Sequence, residues 1–322
     1  MLRQLIPGAC ILFAMAIAVP AGAQQPVLDP KLADADFPFQ GEYAGEIATD
    51  TPRKFGVQVI AMGGGKFHAV GYPGGLPGDG WDGEKVEADG ELKDGAAVFK
   101  AGEASAEIRD GVMSIRDNCG NMLGQFKKVT RQSPTIGLKP PTGAVVLFDG
   151  TSTDSFTSGK LDGDLLVQGV TSKRKFQSYS MHLEFLLSYM PAARGQGRAN
   201  SGCYAQGRYE VQILDSFGLS GEHNECGGIY TVKKPDVNMC FPPLAWQTYD
   251  IEFTAAKYDD SGKKTEDARM TVKHNGVLIH KDVAVPKATT AAPVPEGKEP
   301  GPLYLQDHGN PIRFRNIWIL EK

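Results

Sequence analysis

The chain predicts an all-β fold, and three observations carry that expectation. It holds 39 Gly and 21 Pro, with turn signals recurring at close intervals. Its apolar runs are short and of strand length. No long amphipathic helix, internal repeat or Gly-rich phosphate loop opening a helix interrupts them. The length of 322 residues is enough for two cores.

From the N-terminus, Arg3, the apolar run Ile11 to Val19 and Ala21-Gly-Ala23 read as a secretory signal over residues 1–23, with cleavage after Ala23. Cys10 precedes most of the apolar run and is discarded with the leader. No later segment approaches the roughly 20 apolar residues of a membrane span, so the expected location is periplasmic or secreted. Gln24 to about Phe37 reads as a mobile lead-in.

Short β-like runs follow at Phe55 to Met62, Phe67 to Tyr72, Ala97 to Ala101 and Val112 to Arg116, broken by Gly63-Gly-Gly65 and Pro73-Gly-Gly-Leu-Pro-Gly78. They predict a small N-terminal β domain over 24–130. The Pro-rich stretch 131–143 reads as an interdomain linker. Val145-Val-Leu-Phe148 then opens a second β domain over 144–322. Its strands are expected near Met181 to Leu187, Tyr209 to Leu214, Gln247 to Thr254, Arg269 to His274, Val277 to Lys281, Leu303 to Gln306 and Arg313 to Leu320. Asn275-Gly276 is a strong hairpin signal, and Ala284 to Pro302 reads as a surface loop.

Without Arg3 the mature chain carries 33 Lys and Arg against 38 acidic residues, a formal charge of −5 with no basic patch. Nucleic acid is therefore not an expected partner. The four remaining cysteines, Cys119, Cys203, Cys226 and Cys240, are even in number and belong to an oxidising compartment, which favours disulfides. Cys226 with Cys240 is the favoured pairing because both bound a loop rich in Gly, Pro and Asn; closing it is worth about 3 kcal/mol. Cys119 with Cys203 would then cross between domains.

The most informative stretch is Gly207-Arg-Tyr-Glu-Val-Gln-Ile-Leu-Asp215. On a strand, Glu210 and Gln212 share one face, and Tyr209, Val211 and Ile213 face the core. A polar pair on such a strand is hydrogen-bonded, solvated or in use. It could equally be an exposed face paired to Lys or Arg.

From Leu147-Phe-Asp-Gly150 onward the chain resembles the 3-keto-disaccharide hydrolase domain family. The motifs that carry the resemblance are Leu147-Phe-Asp-Gly-Thr151, Arg198-Ala-Asn-Ser-Gly202, Gly207 to Ser216, Gly227-Gly-Ile-Tyr230, Trp246-Gln-Thr-Tyr-Asp250, His274-Asn-Gly276, Leu305-Gln-Asp-His-Gly309 and Phe314-Arg-Asn-Ile317. The resemblance implies a concanavalin-like jelly-roll β-sandwich whose concave sheet binds sugar, and an enzyme acting on glycosides already oxidised to a ketone at carbon 3. Cys203 departs from the aliphatic residue expected there.

Such a ketone acidifies the hydrogen at carbon 2, so removing it forms an enolate that expels the aglycone from carbon 1, and water then adds. The route needs a base, a donor to the enolate oxygen and an acid. Glu210 is the candidate base, and His308 the candidate acid or second base, since an imidazole titrates near working pH. If Leu303 to His308 is extended, Tyr304, Gln306 and His308 share a face. Asn200, Gln212 and Gln306 would hold sugar hydroxyls. Arg198 or Arg313 would approach the oxyanion, with Asp215 and Tyr230 as further binding residues.

An ordinary retaining glycosidase would need a second carboxylate about 5 Å away, and Gln212 stands where it would be expected. The competing class is a noncatalytic carbohydrate-binding module. No cofactor is expected; His223, Glu225 and Asp215 are the cluster to inspect for a metal, although spacings of this kind signal one weakly. His68, His274 and His280 read as surface or turn residues, and Trp246 and Trp318 as core anchors. Trp81 reads as structural, and the Asp-Gly pairs as turns. Without a Gly-x-Ser-x-Gly elbow, Ser or Cys nucleophilic catalysis is disfavoured.

Overall fold

The computed structural model describes residues 25–48 and 51–322. The expected leader at 1–23 lies outside the described residues. The described chain is almost entirely β, as the Gly- and Pro-punctuated short runs require.

Eight antiparallel strands running in sequence order from Gly41–Ile47 to Met122–Val129 form a closed barrel, whose first strand pairs with its last (Glu42 opposite Val129). Side chains alternate in and out, so Tyr43, Val59, Phe67, Phe99 and Phe126 fill the interior. The expected strands at 55–62, 67–72, 97–101 and 112–116 are present. The polar strand Val86–Lys93, which carries few apolar residues, was not anticipated. The lead-in is tied down: Val27 exchanges two backbone hydrogen bonds with Tyr189, 3.1 and 2.8 Å, and the Tyr189 hydroxyl donates to Asp34 at 2.8 Å.

Beyond Val145 the chain forms a two-sheet sandwich of the jelly-roll class. One sheet has five strands in the order Phe156–Thr157, Val170–Phe176, Gly301–Leu305, Ser201–Ala205 and Tyr209–Ile213. The larger sheet is built around Ile312–Glu321, Tyr179–Leu187, Trp246–Thr254, Ala268–His274 and Val277–Val285. Leu183, Phe185, Val211, Ile213, Ile251 and Leu305 meet between them in one core.

Residues 131–143, expected as a linker, are tied down over 131–138. Arg131 donates from Nε and Nη2 to the Glu42 carboxylate of the barrel, 2.7 and 2.5 Å, and its guanidinium stacks 5.0 Å from the Phe241 ring of the sandwich. Further along, Ser133 and Thr135 bond Thr248 and Asp250, the Gly137 N–H donates to Glu184, and the Leu138 carbonyl accepts from Trp318 Nε1. This strap lies over His182, which is wholly buried and bonded to Asp250 at 2.7 Å.

Three expectations are corrected. His274 and His280 are not surface residues but wholly buried, bonded to Gln247 and to the Gly227 carbonyl, and burial holds both imidazoles well below their ordinary pKa. Cys226 and Cys240 are free thiols. Their thiols hydrogen-bond one another in the core, Cys240 Sγ also reaching the carbonyls of Leu214 and Phe241 and Cys226 Sγ the Tyr249 hydroxyl. Cys119 is exposed at a barrel turn while Cys203 is sealed in the sandwich core, so no bridge joins them.

Glu42 is 2 % exposed, and removing Arg131 strands its charge. Arg131→Ala is expected to destabilise the chain by roughly 3–5 kcal/mol, part of which the second change Glu42→Gln restores. Urea unfolding of both variants measures this; equal stability of Arg131→Ala and the parent refutes it.

Candidate functional site

The site is set by one hairpin. Ser201–Ala205 and Tyr209–Ile213 pair in a register that puts Tyr204 opposite Glu210 and Gly202 opposite Gln212. Those four residues share the sheet face turned away from the core, while Cys203, Val211 and Ile213 face inward. A Cβ on Gly202 would lie 2.2 Å from Glu210 Oε1, so the missing side chain is what lets the carboxyl lie down on the sheet.

A recess of about 70 Å³ is lined there by Asn200, Tyr204, Glu210, Gln212, Tyr230, Gln306 and His308, with Gln196, Thr290 and Ala291 completing its wall. It gathers six of the nine residues the sequence nominated. Gly301–Leu305 ends one residue before Gln306, so Gln306 and His308 arrive from the following loop rather than from the extended strand expected. Gln306 is held by its N–H to the Gly202 carbonyl at 2.9 Å, and His308 is exposed at the rim.

Three nominated residues lie elsewhere. Arg198 Nε donates to Asp215 at 2.6 Å in a buried pair outside the recess, so neither is free for substrate there. Arg313 belongs to the larger sheet, where it bonds Asp162 at 2.8 Å. The recess also holds a residue the sequence did not nominate: Tyr204, whose hydroxyl bonds Glu210 and accepts from Gln306 Nε2 at 3.3 Å. The inspected cluster does not converge either. Asp215 is committed to Arg198, and Glu225 accepts from the backbone of Gly221 and Glu222. Among the described residues no three His, Cys, Asp or Glu side chains are placed to hold a metal.

Glu210 is 2 % exposed. Burial pushes its carboxyl up to about 8, against a smaller downward pull from the Tyr204 hydrogen bond. Beside it, Asn200 and Gln212 are each 1 % exposed. Both point their amide N–H groups at Gln196, leaving Asn200 Oδ1 and Gln212 Oε1 buried without a donor. Two unpaired acceptors beside a proton-holding carboxyl match a ligand rich in hydroxyls.

The sequence profile of the 3-keto-alpha-glucoside-1,2-lyase-like domain matches residues 143–320. A solved structure from Parabacteroides distasonis, provisionally named a glycosyl hydrolase, is 31 % identical and superposes with a TM-score of 0.51 over 56 % of this chain and 85 % of its own. A second structure from that organism, named likewise, is 17 % identical, with a TM-score of 0.41 over 56 % of this chain and 94 % of its own. No curated protein is a significant match.

The raised carboxyl has a signed consequence for stability. Below pH 4.5, the unshifted value, Glu210 is neutral whether folded or unfolded, and from there to about 8 only the unfolded chain releases the proton. Stability is therefore lost as pH rises through this window, by roughly 3–5 kcal/mol at most. Glu210→Gln should remove that loss and be the more stable protein at pH 9 while matching the parent at pH 5. Urea midpoints that keep the same offset at both values would refute the assignment.

Proposed function

The chain belongs to the 3-keto-alpha-glucoside-1,2-lyase-like family, and from that premise we propose that it cleaves 3-keto-glycosides by proton abstraction, elimination and hydration. Family membership and the glycosyl hydrolase neighbour support a glycoside-acting enzyme. The finer mechanism is carried by one observation: a buried carboxyl of raised basicity shares a recess with a phenol, an imidazole and two unpaired amide oxygens.

The ionised Glu210 takes the proton from carbon 2, and the electron pair moves onto the ketone oxygen, where the Tyr204 hydroxyl donates to the enolate. A carboxylate that binds its proton this tightly is a better base than an exposed one. As the enolate collapses, the bond from carbon 1 to the aglycone oxygen breaks and His308 at the rim protonates the departing alcohol. Water adds to carbon 1 of the resulting enone and a proton returns to carbon 2, so the sum is hydrolysis. Asn200 and Gln212 accept from the ring hydroxyls, and Gln306 donates toward the ketone side through its contact with Tyr204.

The recess has room for about two waters, so a sugar ring enters only if the Thr290–Ala291 wall moves outward. That wall belongs to the segment between Val285 and Gly301, held beside the hairpin by the Thr289 N–H to the Arg208 carbonyl and the Val294 N–H to the Gly207 carbonyl.

A 3-keto-glucoside with a chromogenic leaving group, turned over in deuterated water and sampled early, tests the route. Deuterium at carbon 2 of the first product is expected, and release without it means direct hydrolysis. Glu210→Gln should lower kcat by about 10²–10⁴-fold while sugar affinity persists. A noncatalytic module would release no chromophore in either form. Tyr204→Phe should lower kcat by about 10²–10³-fold with KM little changed; an unaltered kcat removes Tyr204 from the oxyanion role.

A further inference from the structure

The glycoside chemistry leaves the barrel unused, yet its interior is incompletely filled. Beside the packed residues Tyr43, Val59 and Phe126, which sit opposite Val57, Ala69 and Met113 of its wall, lies a cavity of about 240 Å³. We propose that this cavity is a binding site for one small, uncharged molecule built on a single aromatic ring, held between Phe55, Phe99 and Met113.

The void comes from side-chain size. Ala69, Gly71, Ala88, Ala101, Ala104 and Ala106 line it, and the register sets Ala69 directly opposite Ala88 and only Ala106 opposite Phe99. An eight-stranded barrel has an interior that side chains just fill, or that holds one small ligand when they do not. Small residues facing small residues choose the second outcome here. An empty space of this size forfeits dispersion contacts on every wall, which a ligand would restore.

Its chemistry excludes most occupants. Among the described residues that line it none is charged, and the Ser105 hydroxyl is the only polar side-chain group; Ser105 itself is exposed. Burying a charge or an unpaired hydroxyl there would be costly. Apolar cavities of about 150 Å³ stay dry and accept benzene, so this one is large enough for a substituted ring. Two phenyl rings and a thioether favour an aromatic guest over an alkyl chain of equal volume. Among the described residues the entrance is open: Val86 at the rim is 47 % exposed, and Ile47, Phe55, Ile115 and Leu123 are half-buried.

Toluene titrated into the full chain, labelled at the methionine methyls, is the test. The Met113 methyl resonance should shift saturably, and Tm should rise with toluene concentration. Filling the space with Ala88→Leu, or with Ala106→Leu if the first variant does not fold, should weaken toluene binding by about tenfold or more. A Met113 resonance unmoved at saturating toluene overturns the proposal. So does an equal shift in a folded filling variant, a stronger response to heptane than to toluene, or a shift that follows protein concentration, which would mean that a second copy occupies the mouth.

Discussion

The register of one hairpin, Tyr204 against Glu210 and Gly202 against Gln212, is the constraint on which the sandwich site rests. A slip of one residue would send Glu210 and Gln212 into the core and bring Val211 to the groove. Cys203, Val211 and Ile213, all at most 1 % exposed, make that slip costly, because each belongs to the apolar layer between the sheets. The hydrophobic effect thereby fixes the position of the polar groups. Gly202 completes the arrangement through absence: with no Cβ, it leaves space that the Glu210 carboxyl occupies.

The strand pattern was legible along several strands that bury one face. Tyr209–Ile213, Trp246–Thr254 and Ile312–Glu321 alternate plainly, and their order along the chain matched the family motifs. Barrel closure was not legible, since Gly41–Ile47 finds Met122–Val129 across about 80 residues and nothing local in either strand announces the partner. Val86–Lys93 was missed because both its faces are largely polar or small. The two arginines failed for a different reason. Charge and motif position nominate a guanidinium, but only tertiary pairing shows that Asp215 and Asp162 already hold them.

Tyr204 shows what a sequence reading can lose when one strand is left unassigned. In Ser201-Gly-Cys-Tyr-Ala205 the alternation is short, and small residues at Ser201, Gly202 and Ala205 mask it. Once Ser201–Ala205 is recognised as a strand, Gly202 and Tyr204 must share the face of their cross-strand partners. The stretch 131–143, expected as an interdomain linker, has a docking that its composition did not announce. Ser133, Thr135 and Gly137 place their polar groups on the larger sheet, so composition described the backbone and not its contacts.

The barrel cavity and the sandwich recess divide their solvents. The barrel cavity offers water almost no partner, whereas the sandwich recess offers an unpaired acceptor on Asn200 and another on Gln212. A buried acceptor without a donor is unfavourable by about 1–3 kcal/mol. The free site therefore holds water or waits for hydroxyls, and a ligand lacking hydroxyls at those positions would meet the full desolvation penalty. Glu210 behaves differently across the same event. Burial holds its carboxyl at about 8, so near neutral pH the proton stays on, and under the proposed reaction it is a 3-keto sugar that meets this group. In that proposed reaction only the ionised fraction would act, as an unshielded base toward the acidified carbon. Under the proposed reaction such a site would discriminate by hydroxyl pattern when the sugar binds and by the ketone when the proton leaves, and the two selections would fall on different residues of the same sheet face.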